Sequence, residues 1–369
     1  MNVLITGSDG FIARNLISHL GQDQKYIIYP FSRKNNINDL KAIISKIDFV
    51  IHLAGVNRPE NKSEFLKDNL ELTISLCNEL ELTKRDIPII FSSSIQAEID
   101  NPYGKSKLES ENIISSYSKR TGNSVFIYRL PNIFGKWSKP NYNSAVATFC
   151  FNVVNDIDIE IHDSKTEVEL VYIDDLVTEF LLVLSKEKKS IKSPSYPIYK
   201  IEVGNLAKSI KSFKASRENL VMENVGSGLK RALYATFLSF YEPSSFSYKL
   251  KMHQDERGGF SEFLKNRDAG QLSFFTINPG FTRGQHYHHT KNEKFLVVKG
   301  SAKFRFRNIL NNEVFSMEVN DKDPEVVETI PGWVHDITNS GKDKTVVMLW
   351  ANEIFNQDLP DTYVSDIEI

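Results

Sequence analysis

The hydrophobic rhythm of the chain changes near Pro243, and that change limits the possible folds more than any single motif does. Before it, compact apolar runs such as Asn2-Val3-Leu4-Ile5-Thr6, Phe49-Val50-Ile51-His52-Leu53-Ala54-Gly55 and Ile87-Pro88-Ile89-Ile90-Phe91 stand between helically patterned stretches, for example Phe65 to Leu82. Short apolar runs alternating with helices describe buried parallel strands and their crossovers. After it come short alternating runs rich in aromatics: Leu272 to Ile277, Glu293 to Val298, Ala302 to Arg307, Val326 to Ile330 and Thr345 to Trp350. Turns fall between them at Asn278-Pro279-Gly280, Lys299-Gly300, Asn311-Asn312, Pro331-Gly332 and Ser340-Gly341. Many short strands with Gly/Pro punctuation predict a barrel or jelly roll. At 369 residues the chain has room for both cores. Glu242-Pro243-Ser244-Ser245, with a helix-breaking proline among small polar residues, is the expected linker. The expected domains are therefore 1–243 and 244–369.

Charge and cysteine usage narrow the function classes. Lys and Arg total 45 against 47 acidic residues, without a block of one sign, so no electrostatic footprint for nucleic acid or a membrane surface is present. The expected partners are small molecules. Cys77 and Cys150 cannot build a disulfide framework, and each sits in an apolar stretch where a buried thiol is the default. The chain enters a strand at Asn2 and has no uncharged apolar run long enough to span a bilayer, so a cytoplasmic protein without membrane insertion is expected. The loop from Ser185 to Ser195, rich in Lys and Ser, is expected to be solvated.

The first strand runs into Gly7-Ser8-Asp9-Gly10-Phe11-Ile12-Ala13, a turn opening a helix. Glycines there let the backbone bend sharply and approach a pyrophosphate seated on the helix N-terminus. The second strand, Lys25 to Phe31, ends in Ser32-Arg33-Lys34, where an NAD-selective site would place a carboxylate. Cations with a hydroxyl suit a 2′-phosphate, which predicts NADPH. Ser92-Ser93-Ser94 close a parallel strand at its carboxyl end, where open α/β sheets place their sites. Tyr103 and Lys107, one helical turn apart, share a face. A phenol beside an ammonium can exchange a proton with a carbonyl or alcohol oxygen while a serine hydroxyl bonds that oxygen.

These features resemble the extended short-chain dehydrogenase/reductases. The resemblance rests on Thr6-Gly7-x-x-Gly10-Phe11-Ile12, the Ser92 to Ser94 strand, Tyr103-x-x-x-Lys107, Arg129-Leu130-Pro131-Asn132-Ile133-Phe134-Gly135 and Val171-Tyr172-Ile173-Asp174-Asp175-Leu176-Val177. It implies a Rossmann-type doubly wound parallel sheet. It further implies that Ser94 polarises the substrate oxygen, with Ser93 as the alternative, that Tyr103 is the general acid or base, and that Lys107 holds the nicotinamide ribose. Gly7, Asp9, Gly10, Phe11, Ile12, Ser32, Arg33, Lys34, Leu53 and Ala54 would line the cofactor, and Asn132 would face the nucleotide sugar. Two departures stand out: Ala13 replaces a glycine, and the loop between Ser94 and Tyr103 is short.

In the second half, His286 and His288 are two apart, so both imidazoles project from one side of an extended strand. Glu293 and His335 complete a set of three nitrogens and one carboxylate, which suits zinc and also manganese, iron or nickel. The order Gly280, five residues, His-x-His, four residues, Glu293, six residues, Gly300 resembles the first cupin motif. Asp255-Glu256-Arg257-Gly258-Gly259-Phe260-Ser261-Glu262, Arg283-Gly284-Gln285-His286-Tyr287 and Ile330-Pro331-Gly332-Trp333-Val334-His335 resemble the dTDP-4-keto-6-deoxyhexose epimerase branch of the cupins. That branch implies Arg257 and Arg283 on the nucleotide-sugar phosphates and His286 as a catalytic base. His286 cannot easily serve as both free base and metal ligand.

A reductase followed by an epimerase-like cupin resembles the bifunctional capsular-polysaccharide UDP-sugar epimerase/reductases of the CapF type. The resemblance implies a homodimer acting on a UDP-linked 4-keto-2-acetamido-2,6-dideoxyhexose. The alternatives are a single-activity reductase with a metal-bound regulatory or dimerising cupin, and a nucleotide-sugar sensor.

Overall fold

The computed structural model describes residues 1–55, 62–186, 194–250, 253–255, 258–260, 264, 270–353 and 358–368. Arg257, most of its surrounding segment and residues 187–193 of the Lys/Ser-rich loop lie outside them. Two compact units interleave in sequence: Met1–Ile133 with Glu169–Lys200, and Phe134–Val168 with Ile201–Ile369. The helices in chain order are α1 (Phe11–Leu20), α2 (Ile37–Ile44), α3 (Lys62–Leu82), α4 (Pro102–Thr121), α5 (Ala145–Val154), α6 (Ile173–Leu184), α7 (Val203–Asn219) and α8 (Gly228–Leu238).

The first unit is built on five parallel strands, β1 (Asn2–Thr6), β2 (Ile27–Phe31), β3 (Phe49–His52), β4 (Ile89–Ser94) and β5 (Val125–Leu130), in the order β2-β1-β3-β4-β5. β3 and β4 are buried along their whole length, as expected of parallel strands covered on both faces. Edge strand β2 is more exposed. Chain progression reverses between β1 and β3, so a crevice opens at their carboxyl ends, where doubly wound sheets bind ligands. His52 crosses that gap: its Nδ1 lies 2.6 Å from Thr6 Oγ1 and its Nε2 2.9 Å from Thr73 Oγ1. Burial, assisted by Lys107, pulls its pKa down to about 3, so it is a neutral pin between β1 and β3.

The second unit carries two antiparallel five-stranded sheets. The strands of these two sheets are β6 (Ser247–Lys249), β7 (Gln271–Ile277), β8 (Thr282–Tyr287), β9 (Glu293–Lys299), β10 (Ser301–Asn308), β11 (Val314–Asn320), β12 (Glu325–Glu328), β13 (Trp333–Asn339), β14 (Thr345–Ala351) and β15 (Tyr363–Val364). The orders are β7-β14-β9-β12-β6 and β11-β10-β13-β8-β15. Inward-facing aromatics fill the space between them: Phe304 lies 5.6 Å from Phe295, and Phe246 meets Phe306 and Trp333 edge-on at 5.3 and 5.1 Å. The alternating runs expected to form a barrel or jelly roll thus form antiparallel all-β sheets. The expected linker is a short 3-10 turn, Pro243–Ser245.

A buried ion cluster ties α7 and α8 to these sheets. Lys294 Nζ on β9 donates to Glu328 Oε1 on β12 at 2.5 Å, and Arg217 on α7 donates to Glu328 Oε2. Tyr234 on α8 adds a hydrogen bond of 3.2 Å to the same carboxylate, and Arg217 stacks 3.6 Å over Tyr241. Burial alone would raise the pKa of Glu328, but Arg217 and Lys294 outweigh it and hold it at about 2.

Breaking a buried cluster on one side leaves uncompensated charge. Glu328→Gln is expected to destabilise the second unit by about 3–5 kcal/mol, read from denaturant unfolding. The carboxyl has a lower pKa folded than unfolded, so its contribution is present above about pH 4.5 and lost as pH falls through about 2. The variant should lack that part of the acid sensitivity.

Candidate cofactor cleft and metal centre

The glycines of the first turn sit where no side chain fits. Gly7 has φ +69°, and a Cβ there would lie 2.8 Å from the backbone of Ala54. Gly10 donates its N–H to Gly7 O at 2.8 Å, and its own Cβ would lie 2.9 Å from that oxygen. The turn is pressed against Leu53-Ala54 at the end of β3, and Ser8 N bonds Phe31 O at the end of β2. Ala13, in place of the third glycine, is buried on the inner face of α1. Asp9 is exposed and Phe11 and Ile12 half-buried, beside an α1 N-terminus with no side-chain cap. After β2, Ser32 donates its N–H to Asn35 Oδ1 and accepts from Lys34 N, shaping a turn with Arg33 and Lys34 exposed at its tip. A capping box of Asn36 and Asp39 then starts α2 directly.

Helix α4 brings Tyr103 and Lys107 beside β4. Asn101 caps it through Gly104 N at 2.7 Å, and Gly104 is required because a Cβ would lie 2.2 Å from Gln96 O. The short loop after Ser94 is therefore a 3-10 turn, Ile95–Glu98, against which the helix packs through its glycine. Lys107 Nζ donates to Ser92 O at 2.8 Å and stands 6.0 Å from the Tyr103 ring. Burial lowers its pKa to about 8, with Glu111 opposing the shift.

The two candidate serines have different partners. Ser93 donates its hydroxyl to Glu111, whose two carboxylate oxygens also accept from Arg129, Oε2 from Nη2 at 2.7 Å and Oε1 from Nε at 2.9 Å. Ser94 accepts from Gln96 N at 3.2 Å at the carboxyl end of the strand, on the face opposite to Ser93. Glu111 escaped the sequence reading, although it follows Lys107 at the same one-turn spacing that singled out Tyr103. Asn132 is exposed and donates to Glu169 O at 3.2 Å.

In the second unit, His286, His288, Glu293 and His335 converge, with one candidate ligand atom from each lying within 4.8 Å of all the others. A bulge between Gly284 and His286 reaims β8, with Gly284 at φ +102° and Gln285 at φ +59°. His286 then pairs in register with His335 on β13, and their rings lie 4.7 Å apart. Gly332 N bonds His288 O at 3.0 Å, tying the Pro331-Gly332 turn to the first histidine pair, and Trp137 packs on Gly332 where a Cβ would meet its ring at 2.6 Å.

These donors fit a divalent ion. His288 Nε2 lies 3.3 Å and His335 Nε2 3.4 Å from Glu293 Oε2. The His335 contact is at the long limit and misaligned for a hydrogen bond, and both its ring nitrogens are buried without a hydrogen-bond partner among the described residues. His288 Nδ1 donates to the carbonyl of Asp361, which leaves Nε2 for the cluster. Burial lowers the pKa of His286, to about 3, and of His335, while His288 and Lys291 hold Glu293 ionised against its burial. Neutral imidazoles with an ionised carboxylate are the states in which these groups ligate. Arg283 is exposed, its guanidinium 5.7 Å from the Phe275 ring.

Residues 3–198 match the NAD dependent epimerase/dehydratase family, and residues 253–363 the polysaccharide biosynthesis C-terminal domain. The chain is 51% identical over 368 residues to UDP-2-acetamido-2,6-beta-L-arabino-hexul-4-ose reductase from Pseudomonas aeruginosa, covering 100% of this chain and 99% of the relative. The crystal structure of capsular polysaccharide assembling protein CapF from Staphylococcus aureus matches with a TM-score of 0.67 and 38% identity over 99% of this chain and 100% of that one. UDP-glucuronic acid 4-epimerase from Bacillus cereus, in complex with NAD, shares the fold over 58% of this chain and 84% of its own, with a TM-score of 0.52 and 18% identity.

Stripped with a chelator and reloaded, the protein is expected to take up one divalent ion per chain by elemental analysis. His335→Ala should weaken that uptake by more than the roughly 10- to 100-fold that outer partners of a metal site cost.

Proposed function

The chain belongs to the NAD dependent epimerase/dehydratase family with the two-domain architecture of the CapF-type enzymes, and from that premise we propose a bifunctional nucleotide-sugar enzyme of capsule precursor synthesis. It is a nucleotide-sugar reductase working with a nicotinamide cofactor. Residues 244–369 epimerise C3 of a UDP-linked 4-keto-2-acetamido-2,6-dideoxyhexose, and residues 1–243 reduce C4 with NADPH. The product is a UDP-2-acetamido-2,6-dideoxy-talose on the way to UDP-N-acetylfucosamine. The observation that carries the reading is the full-length identity to a reductase named for such a keto-sugar, joined to a second unit with its own converged donor set.

The order of steps follows from carbon-acid chemistry. The C3 proton is acidic only while C4 is a carbonyl that delocalises the enolate, and reduction ends that acidity. Epimerisation therefore precedes reduction, and reduction traps the product. At C4 the bound nicotinamide supplies the hydride. Tyr103 supplies the proton to the C4 oxygen, Ser94 hydrogen-bonds that oxygen, and the buried Lys107 ammonium favours the phenolate left behind. The commitment of Ser93 to Glu111 supports Ser94 for this role. Arg33 and Lys34, exposed at the end of β2 with no acid among Ser32-Arg33-Lys34, support a 2′-phosphate partner and hence NADPH.

At the cupin centre, His286, His288, Glu293 and His335 would hold a zinc ion, which supplies Lewis acidity toward the sugar carbonyl when bound. We assign His286 to this set because it converges with the other three donors, so the C3 proton goes to another group in the loaded enzyme. Activity retained by a metal-free His288→Ala variant would return the role of base to His286. Arg283, and Arg257 outside the described residues, are assigned to the nucleotide diphosphate. A cytoplasmic homodimer suits a UDP-linked substrate. Leu272 and Phe274, exposed on edge strand β7, support self-association, and no described helix is long and apolar enough to cross a membrane.

In deuterated water without NADPH, the keto-sugar should gain deuterium at C3. NADPH consumption with no incorporation would leave a reductase alone. Tyr103→Phe should lower kcat for NADPH oxidation by about 10²- to 10⁴-fold while C3 exchange persists. Arg33→Ala should raise KM for NADPH by about 10- to 100-fold and leave NADH use little changed, the loss expected for one charge-assisted hydrogen bond.

A further inference from the structure

Residues 358–368 lie along β8 and touch the metal-site candidates at several points. Within them β15 pairs Val364 with His286 and Tyr363 with Tyr287, and Ser365 N bonds Gln285 O at 2.9 Å on the bulge. Arg307 anchors the segment at Ser365 Oγ and Asp366 O, each at 2.9 Å, and Ile367 is buried with Tyr287 and Val334.

Asp361 makes the densest set of contacts. Its carbonyl accepts from His288 Nδ1. Its carboxylate accepts from three successive backbone N–H groups, His289 N at 2.9 Å, Thr290 N at 2.6 Å and Lys291 N at 2.6 Å, and from Thr290 Oγ1 at 2.9 Å. Thr290 Oγ1 in turn accepts from Arg231 on α8. The turn gripped in this way is the one that joins ligand candidates His288 and Glu293.

We infer that Asp361 is a positioning residue of the cupin centre, its carboxylate fixing the His289–Lys291 turn and its carbonyl holding His288 in the tautomer that leaves Nε2 for the ion. This rests on the metal-site reading above. A histidine whose remote nitrogen is held by a carbonyl keeps one ring orientation and one tautomer, and such partners set metal affinity without touching the ion. Loss of the carboxylate frees the turn, so the carbonyl no longer has a fixed place beneath His288.

The test compares wild type, Asp361→Ala and Asp361→Asn by zinc affinity in competition with a chelator. The His288 tautomer is read from imidazole nitrogen shifts in the metal-free proteins and assigned with His288→Ala. Cooperative denaturant unfolding of each variant checks that the second unit has folded. Asp361→Ala should bind zinc about 10- to 100-fold more weakly and show a mixed His288 tautomer. Asp361→Asn, which keeps one oxygen acceptor, should fall between it and wild type, and it carries the test if the alanine variant does not fold. Wild-type affinity together with the wild-type tautomer in the variants overturns the inference. If wild-type protein takes up no zinc, the metal reading fails separately, and the tautomer comparison alone upholds or overturns the role of Asp361.

Discussion

Glu328, between Lys294 and Arg217, is the constraint around which the second unit is arranged. Two cations and a carboxylate taken out of water are favourable together only while each keeps its partner. The cluster therefore fixes the distance between α7 and strands β9 and β12 more sharply than apolar packing would. Lys294 follows Glu293 directly, and successive strand residues point to opposite faces. One face of β9 thus contributes to the ion cluster and the other to the donor set. Thr329, next to Glu328, reinforces this: its Oγ1 accepts from Glu293 N at 3.0 Å and its own N–H bonds Glu293 O at 2.9 Å.

The first unit depends on a different constraint, close backbone approach. Gly7 against Ala54 and Gly104 against Gln96 O put chain where a single Cβ would collide, once at the turn after β1 and once at the start of the Tyr103 helix. Both contacts lie at the carboxyl ends of parallel strands, where the sheet leaves backbone polar groups facing a crevice. The buried pair Thr6–His52 and the Glu111–Arg129 clamp then remove freedom from the carboxyl ends of these strands. Glu111 engages Ser93, one of the two adjacent serines.

Much of this was legible in advance. The glycine turn, the Tyr103–Lys107 spacing and the His286-x-His288 pair are local patterns, and backbone geometry over a few residues is enough to read them. The change of period at Pro243 was equally plain, because parallel strands buried on both faces and a half-exposed sandwich impose different apolar patterns. Hidden from such reading were the partners supplied from far along the chain. Asp361 lies 73 residues from His288 and Arg217 lies 111 from Glu328. Nothing in Asp361 or its neighbours marks it as other than a polar surface segment.

The amino-acid sequence by itself determined the two fold classes, the glycine turn, the tyrosine–lysine pair and three of the four donors, since each follows from periodicity or short spacing, while His335 stood out only through the motif around it. Only the tertiary structure decided that Ser93 is committed to Glu111, that residues 134–168 and α7 and α8 group with the sandwich, and that Asp361 stands behind His288. The physical reason is one of range. Propensity and periodicity act over a turn or a strand, whereas satisfying a buried charge or fixing an imidazole tautomer requires a partner that the closed fold alone brings near.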